Sequence, residues 1–105
     1  MATLQPAIQT FLDATEAGDY NLFLTAFASD AVLEDWGRTF VGHEEIDRWD
    51  RQEHIGTQNT IVVRNSFETG DTTTLAVSVS GNGYNGDGTF VIHVRDGLIA
   101  SFIIN

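Results

Sequence analysis

One hundred and five residues hold a single domain, and Leu, Ile, Val and Phe supply 30 of them, enough for one modest core and too many for a disordered chain. Five Arg and no Lys face fifteen Asp plus Glu, a net charge of −10 that repels nucleic acid and anionic membrane surfaces alike. The absence of Cys removes disulfides, thiol nucleophiles and thiolate metal sites. No apolar run approaches ~18 residues, and the first six residues lack a basic-then-apolar leader. The expectation is therefore a soluble cytoplasmic protein with no membrane or nucleic-acid partner.

Apolar residues at Leu4, Ile8, Phe11 and Leu12 follow helical spacing and predict a helix over about residues 3–17. Thr3 is its expected N-cap, Pro6 suits its first turn, and Gly18 closes it. Asp19 then caps a short helix carrying Phe23 and Phe27. Alternation over residues 31–36 predicts a strand with Leu33 and Asp35 on one face. Gly37 and Arg38 form a turn, and 39–41 a short return strand. A third helix begins at Gly42 and His43, with Glu44 and Glu45 in the first turn, where the helix dipole favours anions. Ile46, Trp49 and Glu53 share one face, with Asp50 and His54 at its margin.

Four strands follow, at about 58–68, 72–80, 88–95 and 98–104. Hairpin turns fall at residues 69–71 and at Asp96-Gly97, the latter fitting type I′. Alternation places Ile61, Val63 and Phe67 on one face, then Leu75, Val77 and Val79, then Phe90, Ile92 and Val94. The last strand is apolar on both faces, with Phe102 aligned with Leu98, Ala100 and Ile104. Helices followed by a run of strands indicate an α+β domain with an antiparallel sheet spanning residues 1–105. One sheet face meets the helices; the other, half apolar with small Ser, Thr and Ala side chains, suits a homodimer through the sheet.

The stretch Phe27-Ala28-Ser29-Asp30-Ala31-Val32-Leu33-Glu34-Asp35-Trp36-Gly37 resembles the first-strand motif of the nuclear transport factor 2-like superfamily. That superfamily includes the ketosteroid isomerases and the SnoaL-like polyketide cyclases. Phe40-Val41-Gly42 followed by Ile46 and Trp49, the Ala17-Gly18-Asp19 junction and the Asp96-Gly97-Leu98-Ile99 hairpin resemble further landmarks of the group in the same order. The resemblance implies a cone-shaped, curved antiparallel sheet wrapped by three N-terminal helices, a cystatin-like α+β roll around an apolar pocket. It also implies a small hydrophobic ligand, and an isomerase, cyclase or dehydratase activity or else a non-catalytic ligand-binding or dimerisation module. The chain is short for the group, so one pocket wall is expected to be open or completed by a partner.

In the isomerases the acid at the position of Asp35 removes a proton beside a carbonyl. Desolvation by surrounding rings would raise a carboxyl toward the range of a general base. The bland alternative is a turn-capping Asp, or one half of an ion pair with Arg38, which has the opposite chemistry. The tyrosines that serve the isomerase correspond here to Phe11, Phe27 and Asp50, and its later-strand acid to Phe90 or His93 depending on hairpin register, with Phe90 favoured, which weakens the case for steroid isomerisation. His54 is a candidate proton shuttle with Asp35, against a role at the helix C-terminus. Trp36, Trp49, Glu53, Phe67, Phe90 and Phe102, with Phe11 and Phe27, are the candidate pocket walls.

His43 reads as solvated and His93 as facing outward. Gly81-Asn82-Gly83-Tyr84-Asn85-Gly86 spells G-x-G-x-x-G but opens no helix, so it reads as a hairpin loop, with Tyr84 able to fold over the pocket. No metal-ligand spacing and no G-x-S-x-G occur, and no metal or other cofactor is expected.

Overall fold

The computed structural model describes residues 4–105. In chain order they form α1 (Pro6–Ala17), α2 (Tyr20–Thr25), β1 (Phe27–Asp35), β2 (Arg38–Val41), α3 (Gly42–Glu53), a 3₁₀ turn (Ile55–Thr57), β3 (Thr60–Thr69), β4 (Thr72–Ser80), β5 (Gly86–Arg95) and β6 (Leu98–Ile104). The expected cap Thr3 lies outside the described residues. Within them α1 starts with Gln5 as a cap without a side-chain bond and Pro6 in the first turn. Gly18 ends the helix at φ +69°, a conformation glycine adopts at no steric cost. Asp19 caps α2 by accepting from the Leu22 amide at 3.0 Å.

The six strands form one sheet in the order β2-β1-β6-β5-β4-β3. Four pairings are antiparallel, but β1 and β6 run parallel, so the sheet is mixed rather than antiparallel. Its edges, β2 and β3, are successive in sequence. Helix α3 and the 3₁₀ turn carry the chain from one edge to the other, and the meander back from β3 brings β6 alongside β1. Two hairpins close through two-residue turns with both residues at positive φ: Trp36-Gly37 at 51° and 86°, and Asp96-Gly97 at 54° and 80°. That is the type I′ pattern, whose twist matches paired strands.

Two bulges change which side chains face the helices. Between Val63 and Asn65 the β3 register slips by one residue against β4, with Arg64 as the extra residue. Alternation therefore inverts: Ser66 stands opposite buried Leu75, and Phe67 lies on the outer face, 68% exposed. The expected pocket role of Phe67 is thereby corrected. A second slip between His93 and Val94 lets Ile99 and Phe102, an odd number of residues apart, both be buried.

Phe11, Phe23, Phe27, Phe90 and Phe102 pack between helices and sheet, with ring centroids 4.7 Å apart for Phe11–Phe102 and 5.0 Å for both Phe23–Phe27 and Phe90–Phe102. Such tilted pairs satisfy the ring quadrupoles at core density. Phe11, Phe27 and Phe102, expected as pocket walls, are instead interior filling. Among the described residues no helix is long and apolar enough to cross a membrane.

Candidate functional site

The Phe cluster fills the middle of the cone and leaves a cleft of about 260 Å³ where several elements end. Asp35 comes from the end of β1 and Trp36 from the β1–β2 turn, Trp49 and Glu53 from the last turns of α3, Val79 from the end of β4, Phe90 from β5 and Ile104 from β6. Of the expected site residues, the structure brings together Asp35, Trp36, Trp49, Glu53, His54 and Phe90. It places Phe11, Phe27, Phe67 and Phe102 elsewhere.

Asp35 follows its strand parity into this cleft beside buried Leu33, its side chain 14% exposed. Its surroundings are not purely apolar. Oδ2 accepts from Arg38 Nη2 at 2.6 Å and from the Trp49 indole N–H at 3.0 Å, while Oδ1 accepts no hydrogen bond among the described residues. The ion-pair alternative is thus what the fold adopts, and Trp49 orients the carboxylate within it. Arg38 also donates to both oxygens of Glu53, at 2.7 and 2.8 Å. Hydrogen bonding to Glu53, then the charges of Glu53 and Asp35, raise the Arg38 pKa further and hold the guanidinium charged. The cluster forms because Asp35 and Arg38 flank a two-residue turn as a cross-strand pair, while the C-terminal turn of α3 brings Glu53 over them.

His54 does end α3, its amide donating to the Asp50 carbonyl at 3.1 Å, but its side chain turns inward. It is buried, with its ring stacked between Phe11 at 5.3 Å and Trp49 at 5.1 Å, both at 13°. The Thr15 hydroxyl donates to the Phe11 carbonyl, so at 2.8 Å it accepts from His54 Nε2–H; the Asn59 amide donates to Nδ1 at 3.3 Å. Burial pushes the His54 pKa down to about 3. With its one N–H bonded to Thr15 and its lone pair taken by Asn59, the ring offers neither toward Asp35, so the expected shuttle role is corrected: His54 supports Trp49.

Asp50, expected at the margin of α3, is also buried. Its Oδ1 accepts from the Ile55 amide at 3.2 Å and its Oδ2 has no partner among the described residues, and burial pushes its pKa up to about 7. It lies outside the cleft. Tyr84 lines the cleft but stays half-exposed: its hydroxyl donates to the Asp87 carbonyl at 2.6 Å, and a Cβ at Gly86 would meet that hydroxyl at 2.8 Å. Val79 and Ile104 were legible only as inward-facing strand residues. No pattern in the sequence marks Asn59, whose contacts come from chain closure.

A SnoaL-like domain model matches residues 8–102. The chain belongs to the SnoaL-like family. No curated protein matches this SnoaL-like sequence. Among solved structures, a candidate polyketide cyclase from Sinorhizobium meliloti is 28% identical, with a TM-score of 0.89 over 97% of this chain and 95% of its own. A protein of unknown function with the nuclear transport factor 2-like fold from Cytophaga hutchinsonii is 17% identical, with a TM-score of 0.82 over 100% of this chain and 93% of its own. The Δ5-3-ketosteroid isomerase of a Mycobacterium species is 19% identical, with a TM-score of 0.82 over 94% of this chain and 88% of its own. At those identities the last two establish the fold alone, and the expected superfamily architecture stands.

Proposed function

We propose that this SnoaL-like domain binds a small hydrophobic carbonyl compound in the cleft, and that Asp35 moves a proton on it in an isomerase-, cyclase- or dehydratase-type reaction. One observation carries the reading: a carboxylate on the wall of an aromatic cleft, held through Oδ2 by Trp49 and Arg38, with Oδ1 unengaged. The Arg38 pair works against a basic carboxylate, but it engages Oδ2 alone, so the proton-transfer role rests on Oδ1: a fixed acceptor beside a bound ketone needs no reorientation to take a proton from the carbon next to the carbonyl. The electron pair of that C–H bond then enters the enolate, and the proton returns to the same or another carbon. The relation to the Sinorhizobium candidate cyclase points the same way.

A second reading, ligand binding without catalysis, is favoured by the donors. Phe11 and Phe27 carry no hydroxyl where the isomerase resemblance has tyrosines, and the Trp49 N–H is committed to Asp35. An enolate needs preorganised donors. Deuterium exchange beside the carbonyl of 2-tetralone, followed by NMR, separates the readings. Catalysis predicts exchange above the buffer rate, lost in Asp35→Asn with binding retained. Equal exchange in the variant removes Asp35 from the mechanism.

We also infer a homodimer through the outer sheet face, where Val62 and Phe67 stand exposed beside Thr74, Val91 and Ile103.

A further inference from the structure

Trp36 occupies a position that its own backbone disfavours. It is the first residue of a type I′ turn, at φ +51°. That left-handed region suits Gly, Asn or Asp and is an outlier for a bulky side chain. The same chain builds an equivalent turn with the favoured pair Asp96-Gly97, so the fold itself does not call for a tryptophan here. Nor does packing: Trp36 is 65% exposed, no aromatic ring or cation among the described residues stacks on it, and its indole N–H has no acceptor among them. Strain held without a structural return marks a functional position. The ring stands at the mouth of the Asp35 cleft, with Tyr84, 51% exposed, also on the rim.

We propose that Trp36 is the binding platform for a flat, uncharged, ring-bearing ligand, the indole face stacking on the ligand's unsaturated ring. This rests on the reading of the cleft as a ligand site and narrows its substrate class. About 260 Å³ of cleft, open at the mouth where Trp36 stands, accommodates one or two fused rings. Anions are disfavoured, because Asp35, Glu53 and Asp87 outnumber Arg38, whose guanidinium is already held by two of them. The free indole N–H is available to a carbonyl oxygen at the same mouth.

The probes are 2-tetralone, with one flat aromatic ring, and 2-decalone, its saturated counterpart on the same carbon skeleton. Binding is read by tryptophan fluorescence and calorimetry, stability by thermal unfolding. Wild type is expected to prefer 2-tetralone. Trp36→Asn creates the favoured Asn-Gly turn, so it is expected to raise Tm by roughly 4–8 °C while weakening 2-tetralone about tenfold. Trp36→Phe is expected to retain most of the binding without the gain in Tm. Equal affinity for both ketones, unchanged in Trp36→Asn, would overturn the platform and leave the cleft reading standing. Failure of both ketones to bind wild type would overturn both. An unchanged or lowered Tm in Trp36→Asn would refute the strain on which the proposal rests.

Discussion

Thr15 and His54, 39 positions apart, meet in a buried hydrogen bond that fixes the imidazole beneath Trp49. Thr15→Val keeps the shape and removes the acceptor, leaving a buried N–H unpaired; a loss of about 1–3 kcal/mol is expected in urea unfolding. The two buried titratable groups act on stability in opposite senses. Between pH about 3 and 6.5 the unfolded chain binds a proton at His54 that the folded protein refuses, so this contribution grows as pH rises. Between about 3.8 and 7 the folded protein keeps a proton on Asp50 that the unfolded chain has released, so that contribution shrinks as pH rises. The slopes oppose each other where the windows overlap. Asp50→Asn is expected to expose the His54 slope, with stability climbing on the order of 1–3 kcal/mol more than wild type from pH 4 to 6.5. Superimposable pH profiles would contradict it. At this scale the Asp35–Arg38 pair was legible only as one alternative from proximity in sequence; the turn was read at Gly37 and Arg38, whereas it falls at Trp36-Gly37 and leaves Asp35 and Arg38 as the flanking pair. The burial of His54 was not, because its partners Thr15 and Asn59 come from α1 and from the segment leading into β3.

The junction after α3 depends on Gly56. A Cβ there would stand 1.5 Å from the Arg51 carbonyl oxygen, which belongs to helix backbone and cannot swing aside. Gly56→Ala is therefore expected to cost about 1–3 kcal/mol or more and to loosen the α3 end that carries Trp49 and Glu53. A fall in midpoint with unchanged urea m-value would show intact cooperativity around a displaced junction. Element order and most strand bounds could be read from alternation, turn residues and caps. Which face each residue occupies could not be read throughout, since Arg64 in β3 and the slip at His93/Val94 each invert parity through one unpaired residue. A bulge is a pairing property, and a period-two pattern carries no sign of it. Phe67 is the casualty: it reads as inward from its spacing to Ile61 and Val63, yet it lies outside.

Across the whole molecule, the two sheet faces divide the work. The inner face holds the Phe core and, at one end, the cleft; the outer face carries Phe67 and Val62. Phe67→Asp is expected to leave the core intact, within ±0.5 kcal/mol for the isolated protomer. It is also expected to convert a dimer to a monomer in light scattering; an unaltered mass would remove this face from the assembly. The α+β architecture and the family were legible because helices precede strands and the landmark motifs keep their order. The parallel β1–β6 contact was not, since it depends on how far α3 carries the chain across the sheet. The chain has two tryptophans, and both line the cleft, one at its mouth and one bonded to Asp35. Titration of 2-tetralone into the ¹⁵N-labelled protein, followed at the two indole N–H resonances, reads the site directly. Both resonances moving in one saturable transition is the expected result; two stationary indole signals, with binding absent or mapped to other residues, would contradict the cleft as the place where this domain meets its ligand.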